Sequence, residues 1–165
     1  MTVSNDDSFG PATPAPGSVL LVDDEPMLRR IYRRQLTAAG FEVVEAANGR
    51  IALELTRVRE FDVVVSDIRM PDMGGLELVE RLSLEAPGLP VVLVSGCSDF
   101  GSAQAARDYG AIDCLAKPVR LSELLRCVSL AIGQRRGFVE PANAEPRDSE
   151  TRLVVPLGAK RAFVA

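Results

Sequence analysis

The chain has no histidine and no tryptophan. Without imidazole it lacks the commonest zinc ligand and the usual general base of nucleophile triads. It also cannot itself be a phosphohistidine donor. Its three cysteines, Cys97, Cys114 and Cys127, are odd in number and form no CxxC pair. They read as buried or half-buried thiols in a reducing cytoplasm rather than as a disulfide framework. Basic charge is not in excess: 19 Lys and Arg against 23 Asp and Glu leave a net charge of −4. That balance gives no general attraction to nucleic acid or an anionic membrane. No segment approaches the roughly 18 consecutive apolar residues of a membrane span. The first residues carry acids and prolines without a basic start and apolar run, so they do not read as a signal peptide.

What is present suits one domain with tails. Hydrophobic residues make up 47% of 165 positions, enough for a real core. Residues 1–17 are polar and rich in Pro and Gly, and are expected to be disordered. The domain is placed at residues 18–136. Residues 137–165, broken by Pro141, Pro146 and Pro156, are expected to form a second disordered tail with no output domain.

Between the tails, short apolar runs alternate with helical patterns. Strands are predicted at residues 18–22, 41–46, 62–66, 91–94 and 112–116, each a run of mainly branched or apolar residues bounded by turn signals. The first helix starts at Pro26, where a missing N–H does no harm, and runs to about Ala39 with Leu28, Ile31 and Tyr32 on one face. Gly40 occupies its left-handed C-terminal stop. Asn48 caps a second helix carrying the apolar residues Ile51, Ala52, Leu55 and Val58. A third follows Gly75 with Leu76, Leu78, Val79 and Leu82 inward. A fourth spans about 99–109 and a fifth about 121–134. This order implies βαβ units and a parallel sheet covered on both faces.

Four of the strands end in polar residues: Asp23-Asp24, Asp67, Ser95 and Lys117. Open α/β sheets bind ligands at that edge. One polar residue at a strand end is ordinary, but these four are chemically coherent. Three carboxylates in one crevice resist ionising together unless a cation is present. A hard divalent ion, Mg²⁺ above all, takes one or two carboxylates, a carbonyl and waters, and leaves positions open for phosphate oxygens. A lysine and a hydroxyl complete a phosphoryl site, in which Asp67 can act as a nucleophile and form an aspartyl phosphate.

The segments VLLVDDEP, VVVSDIRMPDMGG, VVLVSG and CLAKP resemble the signature of the CheY-like response-regulator receiver domain of two-component signalling, over about residues 18–134. The resemblance implies a flavodoxin-like (βα)5 fold with a five-stranded parallel sheet. It implies Asp67 as the phosphoacceptor, with Ser95 and Lys117 on the phosphoryl group. Mg²⁺ would be held by Asp24, Asp67 and the backbone carbonyl of Arg69, with Asp23 acting through water. It also implies a cis Lys117–Pro118 bond. The expected partners are a sensor histidine kinase or histidine phosphotransfer protein upstream and a protein target downstream. No direct nucleic-acid contact is expected, and the chain would be a monomer or weak homodimer. It would act as a single-domain regulator or phosphorelay receiver in the cytoplasm. It would be no enzyme, but a phosphoacceptor that assists its own phosphorylation and dephosphorylation. One position departs from the family: Cys114 stands three residues before the lysine, where an aromatic is usual.

Two other readings compete. A metal-dependent phosphohydrolase needs an acid two residues after its nucleophile, and Arg69 stands there. A receiver-like binding module regulated without phosphorylation would lack an acid or the lysine, and all are present; Cys114 is what motivates it. Arg29, Arg30, Arg33 and Arg34 form a basic stretch on the first helix, read either as a solvated face or as a contact tuning partner choice. Only the pairs Arg29 with Arg33 and Arg30 with Arg34 align.

Overall fold

The computed structural model of the protein describes residues 17–96 and 102–137. The predicted tails lie outside these residues, apart from Gly17 and Gly137. So do Cys97 and the first positions, 99–101, of the predicted fourth helix.

Ten elements alternate along the chain. They are β1 (Ser18–Val22), α1 (Pro26–Ala38), β2 (Glu42–Ala46), α2 (Gly49–Val58), β3 (Val63–Asp67), α3 (Gly75–Glu85), β4 (Val91–Ser95), α4 (Ser102–Asp108), β5 (Asp113–Ala116) and α5 (Leu121–Arg135). The strands form one parallel sheet in the order β2-β1-β3-β4-β5. This is the predicted five-stranded flavodoxin-like arrangement. β3 and β4 are buried throughout, and β1 is buried from Val19 on, as apolar runs without polar alternation require. β2 and β5 sit at the edges and are only partly buried.

Side chains alternate between the two faces of the sheet. Val19, Leu21, Val63, Val65, Val92 and Val94 pack with Tyr32 and Leu36 of α1 and Leu124 and Val128 of α5. Leu20, Val22, Val64 and Leu93 pack on the other face with Ala52 and Leu53 of α2, Leu78 and Leu82 of α3 and Ala106 of α4. Gly40 has φ +93°, the left-handed stop predicted for α1. Asn48 caps α2 by accepting the Ile51 amide at 2.9 Å.

Three of the apolar residues that mark the first two helices in the sequence face solvent. Ile31 is 46% exposed, Ile51 also lies outside, and Val58 is 82% exposed. In α1 the buried line is Tyr32 and Leu36, spaced four apart. In α2 it starts at Gly49 and continues through Ala52 and Leu53 to the half-buried Thr56. Val58 comes two residues later, about 200° round the helix, so it points away.

The chain reverses direction about β1: β2 lies on one side of it and β3 on the other. That is a topological switch point, which leaves a crevice beyond the carboxyl ends of β1 and β3. Close backbone contacts shape the loop at that edge. The Gly75 amide donates to the Ile68 carbonyl at 2.9 Å, and the Gly49 amide to the Met73 carbonyl at 3.3 Å. A methyl group on Gly75 would run into the Asp67 carbonyl oxygen. No side chain fits there, because the obstruction is backbone.

At the opposite edge, Asp62 joins three elements. It accepts the Ser18 amide at 2.8 Å and pairs with Arg136, just past α5, at 3.0 and 2.7 Å. Burial alone would raise its carboxyl pKa, but the hydrogen bonds from Arg136 and Ser18 and the charge of Arg136 outweigh burial and hold it below the ordinary carboxylate value.

Two outcomes follow from these contacts. Gly75→Ala is expected to cost about 2 kcal/mol or more in urea unfolding, because backbone must move to admit one methyl. Asp62→Asn tests the second contact. A depressed folded pKa contributes stability above the unfolded value, and that stability is lost as pH falls through the folded value. The variant should therefore melt below the wild type at pH 7, and the gap should close as pH is lowered below about 4. A gap that stays constant with pH would show that the Asp62 charge does not matter.

Candidate functional site

Asp23, Asp67 and Ser95 are delivered by the ends of the buried strands β1, β3 and β4, and Lys117 follows the partly buried edge strand β5. Asp23 follows the last residue of β1, and its amide donates to the Ala46 carbonyl of β2 at 3.2 Å. Asp67 is the last residue of β3, in register with Val94 of β4. Ser95 follows Val94, and the Lys117 amide donates to the Ser95 carbonyl at 2.7 Å, tying the ends of β4 and β5 together. The Lys117–Pro118 bond is cis, as the resemblance implied.

These strand ends bring the predicted residues together. Carboxylate oxygens of Asp23, Asp24 and Asp67 all lie within 4.8 Å of one another. Asp23 is 2% exposed and Asp67 and Ser95 are buried, whereas Asp24 is open to solvent. The Lys117 ammonium donates to Asp67 Oδ2 at 2.9 Å and lies 3.6 Å from Asp23 Oδ2. The Glu25 amide donates to Asp23 Oδ1 at 2.8 Å. The Ser95 hydroxyl donates to the Gly96 carbonyl at 3.2 Å. Arg69 is exposed, two residues past Asp67 in the loop between β3 and α3.

The electrostatics follow from crowding and burial. Burial pushes the Asp23 carboxyl pKa up. The Glu25 amide and Lys117 pull it back and the neighbouring Asp67 and Asp24 add to the rise, so the net direction is upward. Burial alone would lower the Lys117 pKa. The hydrogen bond to Asp67 and the charges of Asp67 and Asp23 outweigh that, so it stays protonated above its ordinary value. Tyr32, buried on α1, has its phenol pushed up mainly by burial. Three carboxylates against one ammonium leave a negative excess. An all-oxygen set of this kind, half open to solvent, suits a hard divalent cation with exchangeable waters.

Sequence reasoning missed several contacts that shape the site. Arg29 donates from Nη1 to the Asp23 carbonyl and lies 3.6 Å from Glu45, which also pairs with Arg33 at 3.0 Å. Half of the arginine stretch is thus engaged within the molecule. Arg30 and Arg34 point outward with no ion-pair partner among the described residues. The pairing of Arg29 with Arg33 at helical spacing was visible in the sequence. Which pair turned inward was not.

Cys114 occupies β5 opposite Leu93 of β4 and is partly buried against the α2, α3 and α4 side of the core. Its amide donates to Asp113 Oδ1 at 2.9 Å. No helix among the described residues is long and apolar enough to cross a membrane.

Residues 19–129 match the response regulator receiver domain family. Among curated proteins, the chain is 34% identical over 139 residues to the DNA-binding transcriptional regulator NtrC of Klebsiella pneumoniae, covering 84% of this chain but 29% of that one. The chain therefore spans under a third of that relative's length. Among solved structures, it is similar to a response regulator receiver domain protein from Clostridium thermocellum. The TM-score is 0.70 at 26% identity, over 74% of this chain and 99% of that one. It is also similar to the chemotaxis protein CheY4 of Vibrio cholerae, with a TM-score of 0.66 at 32% identity over 71% and 99% of the two chains. The strand order, the polar strand ends and these matches agree, and the chain belongs to the response regulator receiver domain family.

Proposed function

We propose that this protein accepts a phosphoryl group on Asp67 from a phosphohistidine of a sensor histidine kinase or histidine phosphotransfer protein. In this reading it then switches its contacts with a downstream protein. The observation that carries it is the 2.9 Å contact of Lys117 with Asp67 inside a cluster of three carboxylates at the strand ends. That contact holds one Asp67 oxygen and leaves the carboxylate at the mouth of the crevice, beside groups suited to phosphoryl oxygens.

The chemistry is a displacement at phosphorus. A carboxylate oxygen of Asp67 attacks, the P–N bond to the partner's imidazole breaks, and its electron pair leaves on the imidazole nitrogen. Lys117 stays cationic throughout because its pKa is held up, so it can pass from Asp67 to a phosphoryl oxygen without losing a proton. The Ser95 hydroxyl can rotate from the Gly96 carbonyl to donate to another oxygen. Asp24, Asp67 and the Arg69 carbonyl would hold Mg²⁺, with Asp23 supporting through water. Held there, Mg²⁺ would offset the negative charge of the carboxylates and the entering phosphoryl group. Asp23 suits a supporting role, since its carboxylate already accepts the Glu25 amide and faces Lys117.

The chain is thus a phosphoacceptor that assists its own modification, not an enzyme acting on other substrates, and we place its work in the cytoplasm. The DNA-binding output in the name of its NtrC relative is not carried over, because the match covers only 29% of that protein.

Intact-mass measurement after incubation with acetyl phosphate and Mg²⁺ tests the acceptor assignment. One added phosphoryl group is expected, absent in Asp67→Asn and absent without metal. If no adduct forms and the stable mimic beryllofluoride causes no thermal shift, the phosphorylation reading fails. Asp23→Asn gives a second test. Because the folded environment raises the Asp23 pKa, its ionised form costs stability at neutral pH and its neutral form does not. The variant should melt above the wild type at pH 7 without metal and lose most of the Mg²⁺-induced rise. A lower metal-free melting temperature would contradict this.

A further inference from the structure

The acidic turn after β1 is held from outside, by one residue of α1. The Asp23 amide is fixed on the Ala46 carbonyl at 3.2 Å, and its carboxylate on the Glu25 amide at 2.8 Å. The remaining main-chain group, the Asp23 carbonyl, accepts from Arg29 Nη1. That carbonyl oxygen lies in the same planar peptide unit as the Asp24 amide. Fixing it sets the orientation of the plane from which Asp24 departs. Asp24 is itself exposed, so its direction depends on that plane rather than on packing.

Arg29 is built into this place. Its amide donates to the Glu25 carbonyl at 3.0 Å, its Nε lies 3.6 Å from Glu45 Oε1, and its side chain is only 18% exposed. Arg33, one turn on, shares Glu45 but is 57% exposed. Glu45 lies opposite Leu21 in the β1–β2 register and immediately precedes Ala46, whose carbonyl takes the Asp23 amide. A single dipeptide of β2 therefore supports the turn by two routes, directly through Ala46 and indirectly through Glu45 and Arg29. The planar guanidinium can address a carbonyl and a carboxylate at once, which an ammonium does less well.

We propose that Arg29, anchored by Glu45, is a positioning residue for the Asp23–Asp24 turn and thereby sets the affinity of the acidic cluster for a divalent cation. The inference rests on the phosphoacceptor reading only in taking that cluster as a cation site. Two effects of Arg29 oppose each other. Its charge repels a cation, while its hydrogen bond orders the ligands. Glu45 neutralises the charge locally, and salt screens it over about 8 Å at physiological ionic strength. The ordering effect therefore prevails.

The test is a Mg²⁺ titration of the full chain, followed by thermal shift at about 150 mM salt. Wild type is compared with Arg29→Ala, Arg29→Lys, Glu45→Gln and Arg30→Ala. The half-saturating Mg²⁺ concentration should rise about tenfold in Arg29→Ala, as for loss of a residue that orients a metal ligand. It should rise less in Arg29→Lys and Glu45→Gln, and not at all in Arg30→Ala. Acetyl phosphate labelling of Arg29→Ala should return to within about twofold of wild type at saturating Mg²⁺, since the reacting groups are untouched. A lower metal-free melting temperature with unchanged half-saturation would overturn the proposal and make Arg29 only a helix fastener. Tighter Mg²⁺ binding in Arg29→Ala would also overturn it, by showing that the charge dominates. If Arg29→Ala does not fold, the Lys and Gln variants decide on the same criterion. A wild type that is labelled on Asp67 but shows no Mg²⁺ response would sink this inference alone, whereas one that shows neither sinks the phosphoacceptor reading with it.

Discussion

Two buried carboxylates under one ammonium are the constraint on which this structure turns. Asp23 and Asp67 are both buried and both face Lys117, at 3.6 and 2.9 Å. Removing either acid would relieve the crowding, and removing the lysine would leave uncompensated buried charge, which is costly. The arrangement persists because the backbone leaves it no alternative. β1, β3 and β5 end at one edge, and their terminal residues must share whatever space lies there. The fold thus holds together groups that would separate in solution, and it leaves a local negative excess at that edge.

Register is what makes this reproducible. Ser66 lies opposite Val22, and Asp67 opposite Val94. A slip of one residue would turn every side chain of β3 to the other face. Val63 and Val65 would then leave the α1 and α5 layer and Val64 the opposite one. With both layers closely packed, that slip is prohibitive, so the acidic residue is fixed by valines that take no part in chemistry. Gly75 does the same for the following loop, because α3 starts against the Asp67 carbonyl with no room for a side chain.

The parts legible in the sequence are those where one local signal suffices. Buried strands show as apolar runs, the α1 stop as Gly40, the α2 cap as Asn48, and the site as polar residues closing those runs. Resemblance then added the cis Lys117–Pro118 bond, which spacing alone does not reveal. What was not legible depends on rotation about helix axes. Ile31, Ile51 and Val58 are apolar yet exposed, because a helix lying on a sheet buries a narrow stripe and small residues such as Gly49 and Ala52 can define it. The arginines of α1 pose the same problem in polar form. Four cations within six positions give no periodic signal, and Glu45 on the neighbouring strand is what engages Arg29 and Arg33, of which only Arg29 is largely covered.

Cys114 constrains how a change at the site can spread. A thiol has no ring to swing between an inner and an outer position, and this one is already partly buried against the core beside Leu93. A side-chain rotor at that position cannot carry a signal from Ser95 to the outer face of β5. The direct connection on view is main-chain: the Lys117 amide on the Ser95 carbonyl at 2.7 Å, with Lys117 also gripping Asp67. These two hydrogen bonds join the ends of β3, β4 and β5 at the site. The lysine thus contacts Asp67 at the end of β3 through its ammonium and Ser95 at the end of β4 through its amide.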